Sequence, residues 1–420
     1  MRTAACLVVA LAAVAAASGE DHVVRPTPAT THFGGWSADY APVTEVASGD
    51  VVHLWTVSGE PGQVPLDTFD VPEELQTIWK AQCGSLDGSQ PDRSPPAAFC
   101  GAPGPHILTG PVAVAGARPG DILKVEVLSA ELWTDWGWNT IRAGKGALGN
   151  TAEFADVPAE TVIIPLDLAR MTATPPWSRG VEIALNATGT GPFFGQMGVA
   201  PAPSRGVLSS ILPGAHGGNL DNKRLGPGAT LYLPVNVDGA LFSAGDGHAV
   251  QGDGEFCVTA LETSMHGRFR LTVLTPGSAG STAVFHDISG PRAETPTHYI
   301  TMAFHEDLNE AQEAALLDML AWMHRLTGVS RIDLYRTASL VGDMAVTQVV
   351  NGRKGVHLMM PKSIMDAMAA AANDSGGWKS AARAVLAAAE AIYLDVQHKV
   401  ADFLLICKGK CAELLAKYEL

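Results

Sequence analysis

Residues 216–255 read HGGNLDNKRLGPGATLYLPVNVDGALFSAGDGHAVQGDGE. Within forty residues stand two histidines, four aspartates, one glutamate and nine glycines. Strand-like runs (TLYLPVNV, ALFSAG) alternate with glycine-rich turns, the pattern of a β protein that aims polar side chains from its loops. In an extended chain, residues two apart share a face, so Asp246 pairs with His248, and Asp253 with Glu255 and Cys257. Interleaved glycines let a ligand or a second backbone approach. Histidine with carboxylates is a common divalent-metal set. An aspartate in a GDG run is, on its own, ordinarily a turn residue bonded to its own backbone.

Outward from this stretch the same devices recur. EVASGDVVHLWTV and AVAGARPGDILKVEV place a small-residue turn and Gly-Asp before alternating apolar residues, as in a sandwich or barrel. PEELQTIWKAQ reads as a short helix. After residue 300 the periodicity changes. NEAQEAALLDMLAWMHRL has helical spacing closed by Thr327-Gly328, and VSRIDLYRTASLV is a second helix with Ser330 as N-cap. MAVTQVV and GVHLMMP form a strand pair across the Asn351-Gly352 turn. Residues 361–420 are largely helical and alanine-rich. The fold class expected is mainly β, a sandwich with a barrel-like part, followed by a C-terminal α+β region. The divisions are a signal peptide over 1–18, a β-rich body over 19–300, an α+β part over 301–365 and a helical extension over 366–420.

The chain carries a formal net charge of −15, with no Lys/Arg cluster, which argues against nucleic acid or an anionic membrane as partner. At the N-terminus, Arg2, an apolar run over 4–14 and the small residues of AAAS have the order of a secretory signal cleaved near Ala17 or Ser18. No other stretch has 18 apolar residues in a row, so no membrane span is expected. Export makes disulfides plausible. Cys83 and Cys100 flank a loop of 16 residues and are a candidate staple; Cys407 and Cys411 share a helical face, a poor disulfide geometry. Cys6 falls in the signal and Cys257 in an apolar strand pattern. Asn186 and Asn373 head glycosylation acceptor triplets. The absence of a CxxC pair argues against a zinc-finger site.

The stretch from His216 to Glu255 and on through FCVTALE resembles the signature region of the acetamidase/formamidase family. The resemblance extends to GPHILTGPVAVAGARPGDILKVEV and FFGQMGVAPAP upstream and to ASLVGDMAVTQVVNGRKGVHLMMPKSI downstream, covering most of residues 30–365. It implies a mainly β fold with jelly-roll-like and barrel parts. It also implies a metal-assisted amidohydrolase that cleaves short linear amides to ammonia and a carboxylate. Metal or catalytic roles carry over to His216, Asn219, Asp221, Asp246, His248, Asp253 and Glu255. Within that set the assignment is His216, Asp246 and His248 as ligands to a divalent metal, zinc first and calcium as the alternative. Glu255 moves protons with Asp221 and Asp253 in support, and Asn219 contacts substrate. Trp136 and Trp138, near a glycine-rich loop, are expected to wall the pocket. The expected partner is a small amide, and the expected state a homo-oligomer. The segment between Cys83 and Cys100 is expanded relative to the family pattern.

Two other functions fit the residues. Cys257 could act as nucleophile with Glu255 nearby, although its apolar surroundings favour a buried structural thiol. The Ser/Gly run at Gly277 has no neighbouring lysine and reads as a turn, which weakens a Ser/Lys amidase. From another class, the chain could be an inactive extracellular binding protein on the family fold, since fold alone does not fix activity; the intact acid/His set favours an enzyme.

Overall fold

The structure is a computed structural model describing residues 20–86, 98–186, 191–277 and 288–373. The signal segment, Cys6, the Cys407/Cys411 pair and most of the C-terminal extension lie outside the described residues. Two large sheets dominate. The first has nine strands in the order Asp21–Val24, Val51–Thr56, Met265–Leu274, Ile122–Leu132, Thr230–Pro234, Arg292–Glu294, His298–His305, Lys354–Pro361 and Asp343–Gln348. The second has eleven strands, built around Phe242–Val250, which pairs with Phe193–Gly198, Leu261–Thr263 and Ile107–Val114. Only Asp21–Val24 with Val51–Thr56, and Thr44–Val46 with Ile107–Val114, pair in parallel among the named strands.

Alternation explains how the first sheet sits on the second. In Ile122–Leu132, Leu123, Val125 and Val127 are buried, while Lys124 and Glu126 share the other face and pair at 3.1 Å. These buried residues meet Val112, Phe194, Met197, Phe242 and Ala244 of the second sheet and Met265, Phe269 and Leu271 of the first in one apolar core. The mainly β expectation with a late α+β region therefore holds. The nine-stranded sheet runs without a break across residue 300, because Arg292–Glu294 and His298–His305 are neighbours in it.

Leu308–Thr327 is capped by Asp307, whose side chain accepts from Asn309 N–H, and ends at Gly328 in the left-handed region. Ser330 caps Arg331–Val341 as expected. The two helices bury Met319, Trp322, Met323 and Leu334 against Leu358 and Met360 of the first sheet. Among the described residues no helix is long and apolar enough to cross a membrane. Cys83, at the end of the helix Glu73–Cys83, is disulfide-bonded to Cys100.

Candidate active site

A cavity of about 290 Å³ is lined in part by the second sheet, through Ile107, Trp138, Asn219, Asp246 and Glu262. Its polar floor includes Asp221, Asp246, Glu255, Glu262, His106 and Asn351. His248 is fully buried beside it, its Nε2 lying 3.1 Å from Glu262 and 3.5 Å from Asp246. His106 Nε2 lies 3.8 Å from the other oxygen of Asp246. One ligand atom each from Asp221, His248 and Glu255 falls within 4.8 Å of the others, and the same is true of Asp246, His248 and Glu262.

Backbone irregularity creates this convergence. Phe242 and Ala244 face the apolar core, so a regular strand would turn Asp246 and His248 into that core as well. Asp246 instead takes φ 58°. The phase shifts, a Cβ on residue 247 would meet Met265 of the core, and Asp246 faces the cavity. Asp221 (φ 44°) and Glu255 (φ 43°) also sit in the left-handed region. Such conformations cost on the order of 1–3 kcal/mol each and persist where surrounding structure enforces them, often at functional sites. Here the Gly195 carbonyl accepts from Leu220 and Asp221 N–H, Gln251 donates to the Asp221 carbonyl at 2.7 Å, and Asn351 Nδ2 donates to the Asp221 carboxylate. The Glu255 loop is tied to the late hairpin by Gly254 N–H to Thr347 and Val349 N–H to Gly254. Glu262 is fixed by Ala260 N–H at 2.9 Å and stands opposite His248 in register.

The electrostatics follow from four carboxyl groups crowded in a buried space. Burial, then the charge of Asp246, pushes Asp221 up to about 8. Burial likewise raises Glu262 to about 7 and, with Asp221 beside it, holds Glu255 well above its usual range. Burial alone would lower His248 and raise Asp246. The carboxylates of Glu262 and Asp246 overturn it for His248, which is raised well above its usual range, and His106 and His248 overturn it for Asp246, which is held well below the usual carboxylate range. Asp221 Oδ1, Glu255 Oε2 and His248 Nδ1 have no hydrogen-bond partner, and the 3.1 Å approach of His248 Nε2 to Glu262 Oε2 lacks hydrogen-bond geometry. Unpartnered oxygens and an imidazole at one point are the donor set of a divalent cation, whose charge would relieve the crowding. These residues fit a metal.

The sequence-predicted residues divide. Asp221, Asp246, His248 and Glu255 are brought together, and Asn219 and Trp138 line the cavity. Asn219 is held by Gln196, which donates to its Oδ1 at 2.6 Å, and itself donates to the Ile211 carbonyl. His216 is not brought to the cluster. Gly217 and Gly218 take φ 88° and 81°, the chain turns there, and His216 lies buried against Trp36 with burial lowering it to about 4. Asp253 points away and pairs with Lys223 at 2.9 Å and Arg224 at 3.8 Å. The extended same-face relation of Asp253, Glu255 and Cys257 is not realised, because this segment is a turn, with Glu255 and Val258 at positive φ. Trp136 belongs to the core, its indole donating to the Asp70 carbonyl. Cys257 is a free thiol beside Asn139 and does not line the cavity. Glu262, His106 and Asn351 were not singled out from sequence. Glu262 could have been found by pairing the strand after the turn with the one before it; His106 and Asn351 lie more than 100 residues from Asp246 and carried no local signal.

The architecture defines a two-sheet β protein with a buried carboxylate–imidazole cluster carried in part by the second sheet. Its sequence matches the acetamidase/formamidase family profile over residues 102–211 and 206–367, and the chain belongs to that family. It is 25% identical over 286 residues to the formamidase of Methylophilus methylotrophus, covering 58% of this chain and 69% of that one. It is 28% identical to the acetamidase of Mycolicibacterium smegmatis over 42% of this chain and 54% of that one. Among solved structures, the acetamidase of Bacillus halodurans superposes with a TM-score of 0.63 at 28% identity, covering 82% and 99% of the two chains. A predicted acetamidase/formamidase of Thermoanaerobacter tengcongensis shares the fold at TM-score 0.65 and 24% identity, covering 84% and 99%.

Proposed function

We propose that the chain is an exported, metal-dependent hydrolase of linear amides, releasing ammonia and a carboxylate. The carrying observation is the set of unpartnered buried atoms on Asp221, His248, Glu255 and Glu262 in the floor of a cavity. Asp221, Asp246, His248 and Glu262 would hold the cation, zinc being the first candidate for a mixed N/O set and calcium the second. A divalent cation there supplies Lewis acidity, polarising an amide carbonyl and making water nucleophilic near neutral pH. Glu255, raised by burial and facing the cavity, takes a proton from water and returns one to the departing nitrogen. Asn219, with both amide ends engaged by protein, fixes the shape of the floor. Export is supported by the Arg2, apolar and small-residue order of the N-terminus and by the Cys83–Cys100 bond, which suits an oxidising compartment.

The test couples metal analysis of purified protein to ammonia release from small amides. His248→Ala should lose metal and activity together. Glu255→Gln should keep the metal and lose roughly 10²–10⁴-fold in rate, the usual contribution of general acid–base groups. A metal-free wild type that hydrolyses amides, or a fully active Glu255→Gln, would overturn the assignment.

A further inference from the structure

The cavity is far larger than formamide or acetamide requires. An apolar cavity of about 150 Å³ accommodates benzene, and the space above this acid floor is roughly twice that. Its walls are mostly apolar, formed by Val57, Phe99, Ile107, Trp138, Ile211 and Val350, with Lys145 and the Glu60–Arg142 ion pair at 2.7 Å completing the lining. These walls are also fixed. Trp138 is buried and its indole donates to Ser58 Oγ at 3.2 Å. It packs with Leu75, Ile78 and Trp79 of the helix Glu73–Cys83 in one cluster. That helix carries the cysteine bonded to Cys100, the neighbour of Phe99. Phe99 and Cys100 both take left-handed backbone, φ 54° and 56°, so the cross-link holds Phe99 at the wall in a conformation a free loop would seldom keep.

We infer that the amide hydrolysed here carries an apolar acyl group larger than acetyl, a straight-chain or aromatic carboxamide of about five to seven carbons, seated against this wall. The inference rests on the amidohydrolase assignment and names the substrate class for the same site. A preformed apolar wall gains on each methylene it covers, because the cavity is already formed and no side chain must be ordered. Polar, one-carbon amides would leave most of the wall in contact with water.

The experiment is a comparison of kcat/KM for ammonia release from formamide, acetamide, butanamide, hexanamide and benzamide by the full, metal-loaded protein. The expected result is a rise of about fourfold per added methylene until the cavity is filled, the increment of methylene burial. Ile211→Trp, which fills the cavity, should lower the hexanamide-to-acetamide ratio tenfold or more. Phe99→Ala, a substitution at a half-buried position, should lower it severalfold through the lost contact. Efficient turnover of formamide and acetamide with rates falling along the series overturns this inference alone, as does an unchanged ratio in both variants. No ammonia from any amide overturns the amidohydrolase assignment and this inference with it.

Discussion

Gly195 lies where the side chains proposed to hold the metal crowd together. A Cβ added there would stand 2.5 Å from Asp221 Oδ1, 2.5 Å from Asp246 Oδ2 and 2.7 Å from His248 Cε1. Ordinary contact begins near 3.4 Å, so both carboxylates must move by about 0.9 Å. Neither is a flexible surface group. Asp221 is anchored by Asn351 and by its own backbone to Gly195, and Asp246 is tied to His106 and His248. Inserting a methyl into so closely packed a place costs about 1–3 kcal/mol. A misplacement of about 1 Å in a catalytic constellation costs on the order of 10²-fold in rate. Gly195→Ala should therefore fold, melt a few degrees lower, retain less metal after dialysis and turn over amides about a hundredfold more slowly. Thermal melting, metal content and ammonia release on the same preparation measure all three. Gly290→Ala is the control, since a Cβ there meets nothing within 4 Å. A Gly195→Ala protein with wild-type metal content and rate would show that these carboxylates need not hold their positions for activity, and the assignment of the centre would fall.

Asp253→Asn removes a partly exposed ion pair with Lys223 and Arg224 outside the centre; stability should fall by about 1 kcal/mol or less and kcat should stay within a few-fold, whereas a hundredfold loss would return Asp253 to the chemistry. His357 is fully buried, with Nδ1 2.8 Å from Thr347 Oγ1, and burial lowers it to about 4 from an ordinary 6.5. Between those values the unfolded chain binds a proton that the folded chain does not, so this residue's contribution is full above pH 6.5 and declines as pH falls towards 4. From pH 7 to pH 5 wild type should lose about 2 kcal/mol more than His357→Gln in urea denaturation, and equal losses would refute the burial argument. N-terminal sequencing of the native protein should begin near residue 18, and an intact Met1 would remove the signal.

The sheets and helices were legible because their signals are local. Alternation over Ile122–Leu132, the Asn351-Gly352 turn between two strands, and Asp307, Ser330 and Gly328 at helix ends each specify their conformation within a few residues. The spacing of Asp246 and His248 also survived, since two residues apart is a local relation even through an irregular strand. The same reasoning applied to Asp253, Glu255 and Cys257 failed where positive φ turned the strand into a loop.

By itself the sequence determined a β-rich body, a late pair of capped helices, a loop that Cys83 and Cys100 could staple, and a glycine-rich stretch loaded with acids and histidines. The tertiary structure decided which of those acids share a point in space. Glu262 joins His248 only by strand pairing, His106 and Asn351 arrive from elements more than 100 residues from Asp246, and His216 is turned away by two glycines that the sequence showed as ligand-friendly. Strand periodicity is fixed by each residue's own backbone. A metal centre depends on side-chain atoms within a few ångströms, and those distances are set by register, by the left-handed kink at Asp246 and by the packing of one sheet against another.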